Sequence, residues 1–79
     1  MHINVTNVEY NIQNYSIICK NSDKFTQIEN IIYDEYTDFK NFQTYFLFNG
    51  RQIEKYKTIE ENGITDNGVI VMNKIEDDE

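Results

Sequence analysis

The side chains best equipped for catalysis or metal binding are few and scattered. The 79 residues include one histidine, His2, and one cysteine, Cys19. A zinc site needs several Cys, His or carboxylate ligands at short spacings, and one Cys and one His far apart provide none. Acids are plentiful, with 14 Asp and Glu against 7 Lys and Arg. No H-x-x-E, D-x-D-x-D-G or G-x-x-x-x-G-K pattern organises them. Glu60-Glu61 and the terminal acids read as solvated charge. His2 falls on the outward side of a terminal strand, and Cys19 reads as a core thiol with no neighbouring cation to lower its pKa. A small domain offers little room for a substrate cavity of about 300 Å³ or more. The expectation is a chain that is not an enzyme and takes no cofactor or metal.

The elements that would hold these residues follow from hydrophobic period. His2–Val8 alternates Ile3 and Val5 against His2, Asn4 and Thr6, the period of a half-buried strand. Glu9–Asn14 is polar apart from Tyr10 and Ile12 and reads as a loop. Tyr15, Ile17 and Cys19 alternate through a second strand. Ser22 and Asp23 are N-cap residues, and Phe25, Ile28, Ile32 and Tyr36 then recur at helical spacing, with Glu29 among the polar residues of the other face. This predicts a helix near residues 23–36 whose end is poorly marked. Tyr45–Phe48 forms a third strand. Asn49-Gly50 favours a type I′ hairpin turn, because both positions tolerate positive φ. Arg51–Ile53 returns as a short strand. A polar loop follows, then a turn at Gly63, and Val69–Asn73 is the last strand. The expected core is Ile3, Val5, Tyr15, Ile17, Cys19, Phe25, Ile28, Ile32, Phe46, Ile53, Ile59, Ile64, Ile70 and Met72.

Two strands, a helix and three further strands make an α+β domain: a five-stranded mixed sheet packed on one main helix. Its length suffices for one domain, residues 1–75, followed by an acidic tail or start of a linker at 76–79. Net charge is −7, and the last four residues are all acids, so residues 1–75 carry −3. Such a surface offers too few cations for free nucleic acid. A lone Cys suits a reducing compartment, and no leader or membrane span is evident. A soluble monomer of cytosol or nucleus is expected.

The residues that carry a resemblance lie densest between Tyr45 and Asn73. Leu47-Phe48-Asn49-Gly50-Arg51-Gln52-Ile53-Glu54 is similar to the ubiquitin stretch I-F-A-G-K-Q-L-E. Ser22-Asp23 matches that family's lead-in to its helix, Thr58-Ile59 its Thr-Leu, and Ile64 the Ile after its short turn. The chain resembles a ubiquitin-like domain of the β-grasp kind, and the likeness covers most of its length. Departures are specific. The first hairpin is about two residues longer. Lys24 stands at the family's capping Thr, so Ser22 or Asp23 is expected to cap instead. The Pro pair after the helix is absent. Asn62 replaces a bracing Tyr, and Arg51 takes the place of the chain-linking lysine. The chain ends IEDDE without a diglycine, which argues against a conjugated modifier.

The resemblance implies a protein-interaction domain, part of a larger protein, that binds ubiquitin-family receptors or proteasome subunits through its sheet face. Alternation turns Phe46 and Ile70 to the helix and leaves Leu47 and Val71 outward, on two strands that the β-grasp resemblance implies are neighbours. With Tyr45, Arg51 and Asn73 around them, they begin an apolar patch with a polar rim. Leu47 matches the family's central Ile, while Val71 replaces a His and Asn73 a Val. The alternative is a β-grasp domain that binds a small GTPase or kinase through a strand edge, for which only Lys20 and Lys24 supply nearby basic charge. An acidic mimic of nucleic acid fits less well, because most excess charge sits in the tail.

Overall fold

The computed structural model describes residues 1–75; the expected acidic tail, 76–79, lies outside the described residues. Five strands, one α-helix and one 3₁₀-helix follow in the order β1 (His2–Asn7), β2 (Ile12–Ile18), α1 (Phe25–Glu35), the 3₁₀-helix Thr37–Asn41, β3 (Thr44–Phe48), β4 (Arg51–Gln52) and β5 (Gly68–Lys74). The sheet order is β2-β1-β5-β3-β4. β1 and β5 run parallel at its centre, and every other pairing is antiparallel. With one main helix on one face, this is the β-grasp arrangement that the element order predicts.

The core lies between the helix and the inward side chains of the strands. Phe25, Ile28 and Ile32 bury one stripe of α1 against Ile3, Val5, Phe46, Ile70 and Met72, all 0–1% exposed. Phe25 and Phe46 meet edge to face with ring centroids 4.9 Å apart. That geometry places the positive ring edge on the negative ring face. Two core residues escaped the sequence reading. Ile12 belongs to β2, which starts three residues earlier than alternation suggests, and Phe39 is anchored by the 3₁₀-helix. Tyr15, expected inside, is half-buried and packs edge to face on Tyr36.

β2 departs from strict alternation because it is bulged. Val5 pairs with Tyr15 and Asn7 with Ile12, so one residue of β1 faces two of β2. Asn14 takes up the extra residue with φ of 50°, a left-handed conformation that Asn tolerates better than most side chains. Buried Asn7 secures the adjoining turn. Its Nδ2 donates to the Met72 carbonyl at 2.6 Å, and its Oδ1 accepts the Tyr10 N–H at 2.7 Å.

The helix start also differs from expectation. Neither Ser22 nor Asp23 caps it. Lys24 is the N-cap residue, and Asp23 Oδ2 instead accepts the Lys20 N–H at 2.9 Å. The first helical N–H groups would be orphans in an isolated helix. Here Phe25 N–H donates to the Lys57 carbonyl and Thr26 N–H to the Lys55 carbonyl, both at 3.0 Å. A loop some thirty residues away along the chain does what a capping side chain would do.

Asn62 holds that loop. Its Oδ1 accepts the Glu54 N–H at 2.8 Å, and its Nδ2 reaches the carbonyls of Glu54 and Thr58, each at 3.0 Å. An amide with both acceptor and donors is therefore an effective brace. The Asn49-Gly50 turn is as predicted, with φ of 53° and 78°.

Candidate functional site

The helix covers the inward face of the sheet, so the outward face is the surface that the strands themselves define. Leu47 on β3 lies directly opposite Val71 on β5, and Tyr45 opposite Asn73. Four of the five residues expected from sequence are thus neighbours on one face. Val71 is exposed, whereas Leu47, Tyr45 and Asn73 are half-buried. Leu47 is thus the less exposed and Val71 the more exposed member of the pair.

Arg51 is corrected. The two-residue turn pairs it with Phe48, one position out of phase with Leu47, and the β4 residue opposite Leu47 is Gln52. Arg51 instead lines a cleft of about 170 Å³ with Phe48, Glu61 and Asn62. Counting across a two-residue hairpin gives this register, so the signal was present in the sequence.

Val69 is the apolar residue that the sequence reading missed. It precedes inward Ile70 and is 49% exposed, more than the 37% of Val71. The parallel pairing brings Asn4 beside Val69 and Thr6 beside Val71. On the far side of β1, His2 lies opposite Ile18 of β2. Leu47, Val69 and Val71 form an apolar centre, bordered by amides and hydroxyls.

The other clusters are held in structural contacts. Glu29, expected on a solvated helix face, pairs with Lys55 at 2.6 Å and accepts the Tyr33 hydroxyl at 3.0 Å. Lys55 also donates to the Thr44 carbonyl at 2.8 Å, and the Tyr33 and Thr44 hydroxyls bond one another. Burial pushes the Tyr33 phenol pKa up. This network fastens α1 to β3 and to the capping loop. Cys19 is a buried free thiol, and burial raises its pKa too, the opposite of an activated nucleophile. His2 is exposed, as expected. No group of three or more His, Cys, Asp or Glu that could hold a metal occurs among the described residues. Nor does any buried side-chain polar atom among them lack a partner.

Two open grooves exceed the room expected from size alone. One of about 590 Å³ runs past Met1, Asn21 and Asp66, and one of about 620 Å³ past Tyr45, Gln52, Lys55, Tyr56 and Ile75. The second adjoins the outward face through Tyr45 and Gln52. No helix among the described residues is long and apolar enough to cross a membrane. No protein-family model matches the chain, and no curated protein matches it either.

Proposed function

We propose that this chain is a non-catalytic interaction domain of the ubiquitin-like type. Its outward sheet face binds a protein partner, of the class of ubiquitin-family receptors or proteasome subunits. The observation that carries the reading is the apolar centre of Leu47, Val69 and Val71 on a face that no other element of the described chain covers. Such a centre with a polar border is the anatomy of a docking surface. The residue-level likeness of Leu47–Glu54 to ubiquitin supplies the partner class. Leu47 fills an apolar pocket, Val69 and Val71 widen the contact, and Tyr45 and Gln52 lie at its border.

A chemical-shift titration with a ubiquitin-receptor domain tests this. Perturbed amides are expected at residues 45–47 and 69–73. Leu47→Ala is expected to weaken binding by about 1–3 kcal/mol, the range for hot-spot truncation, with the fold intact by amide dispersion. Asn30→Ala, exposed on the helix, is the control. Glu29→Ala would be a poor one, because it strips Lys55 of its partner. Perturbations confined to residues 25–36 would move the site to the helix.

A further inference from the structure

Every glycine of the chain follows an asparagine: Asn49-Gly50, Asn62-Gly63 and Asn67-Gly68. This dipeptide can react with itself. Glycine has no Cβ to shield its nitrogen or to restrict the rotation that brings it to the side-chain amide. Once deprotonated, the Gly nitrogen attacks Cγ of the Asn before it. The N–Cγ bond forms, the Cγ–Nδ2 bond breaks, and Nδ2 leaves as ammonia with the proton that the Gly nitrogen gave up. Water then opens the cyclic imide. Opening at Cγ gives Asp; opening at the main-chain carbonyl gives isoaspartate, in which the chain runs through the side-chain carbon. Three sites share this chemistry, and the fold separates them.

Asn62 is held through its side chain. The amide accepts from the Glu54 N–H and donates to the Glu54 and Thr58 carbonyls, and the Gly63 N–H is committed to the Glu60 carbonyl at 2.9 Å. Asn67 is held through its main chain. Its N–H donates to the His2 carbonyl at 2.7 Å, and the Gly68 N–H donates to the Thr65 carbonyl at 2.9 Å. Gly68 also opens β5 beside Ile3, packed so closely that an added Cβ would lie 2.7 Å from Phe48 Cε1. Asn49 has none of these restraints. Asn49 and Gly50 are both exposed. Neither the Asn49 amide nor the Gly50 N–H has a hydrogen-bond partner among the described residues. The space around Gly50 is open, with nothing within 4 Å of an added Cβ.

We propose that Asn49 is a site of spontaneous deamidation, and that isoaspartate formed there is a slow covalent switch on the β3–β4 hairpin. The turn holds Asn49 and Gly50 at φ of 53° and 78°, the left-handed pair that a two-residue type I′ turn requires. Attack on Cγ rotates Asn49 out of that conformation, and the open surroundings leave room for the rotation. Isoaspartate then lengthens the turn by one main-chain atom. β4 has only two residues, paired with Phe48 and Leu47, so little else fixes its register. The new carboxylate adds one negative charge to a net −7.

The test is incubation of the full 79-residue chain in mildly alkaline buffer, folded and in concentrated urea. Mass spectrometry of the three Asn-Gly peptides follows amide-to-acid conversion. Isoaspartate is scored by methyl transfer from labelled S-adenosylmethionine with a protein isoaspartate methyltransferase. In urea the three sites should convert at comparable rates. In the folded chain Asn49 should convert at least about tenfold faster than Asn62 or Asn67, because those two must first unfold locally. Asn49→Gln should remove most of the methyl-accepting signal of the folded chain. Conversion at Asn62 or Asn67 as fast as at Asn49, no conversion at Asn49 while folded, or a signal that survives Asn49→Gln each overturns the site. The isoaspartate form, isolated by ion exchange, is then compared with Asn49→Asp, which carries the same charge on an ordinary main chain. Amide shifts across residues 46–53 are expected in the isoaspartate form alone. Matching spectra of the two would keep the site and overturn the switch.

Discussion

At the scale of single residues, the side chains with most consequence are polar ones that finish backbone hydrogen bonding. Asn62 satisfies one N–H and two carbonyls of the 54–58 segment. Asn62→Ala leaves those three groups to find water, so it is expected to destabilise the domain by about 1–3 kcal/mol. Asn62→Asp is expected to lose stability as well, because a carboxylate cannot donate to the two carbonyls. Chemical denaturation of the three proteins checks both. Two carboxylates play a related part. Glu61 accepts the Thr58 N–H at 2.9 Å and Asp66 the His2 N–H at 2.8 Å, and those bonds hold both pKa values below the usual range. A carboxylate depressed in the folded state stabilises above its unfolded pKa and loses that contribution as pH falls through the folded value. Melting temperature should therefore fall on acidification below about pH 4. The Glu61→Gln, Asp66→Asn double variant should show a shallower acid limb; an identical limb would show that these groups do not govern it.

At the scale of elements, the apolar stripe of α1 joins the helix to the sheet. Ile32 is 0% exposed and its chain neighbour Ile31 is 39% exposed. Ile32→Ala is expected to cost about 2–5 kcal/mol, the range for emptying a core site, whereas Ile31→Ala is expected to cost much less. Equal melting of the two variants would show that the buried face is misassigned. This stripe was readable in the sequence because helical period is local. The β3–β4 hairpin was readable for the same reason: Asn49-Gly50 favours one turn, and the turn fixes the register. The features that escaped depend on distant partners or irregular backbone. The bulge at Asn14 breaks the alternation that would have marked Ile12 as the start of a strand. Phe39 sits where no helical or strand period runs long enough to detect. The first two N–H groups of α1 are met by main-chain carbonyls of Lys57 and Lys55, and a carbonyl leaves no trace in residue type. In the candidate site, alternation placed Leu47 and Tyr45 outward on one strand and Val71 and Asn73 outward on another, and the likeness to a β-grasp made those two strands neighbours. Arg51 went astray at the only point where the chain had to be counted around a turn.

At the scale of the whole molecule, charge and sheet face are segregated. Helix, loops and tail hold nearly all the charge, while the outward strand positions hold none. The net charge of −7 is thus carried away from the outward strand positions. The Glu29–Lys55 pair, together with Tyr33 and Thr44, ties the helix to the strand that carries Leu47. Helix, capping loop and candidate site are in this way joined through one polar network as well as through the core.

The parallel pairing of β1 with β5 also bears on the order in which a nascent chain can become a domain. Synthesis delivers His2–Asn7 before the helix and the other three strands and Gly68–Lys74 after them, yet these two strands are neighbours within the sheet. Until the last one emerges from the ribosome, the first hairpin and the β3–β4 hairpin have no strand between them and no shared sheet. The inward sides of both lack the flanking strand that completes the core. Closure of the sheet then waits for Ile70 and Met72 to enter the gap between the two hairpins.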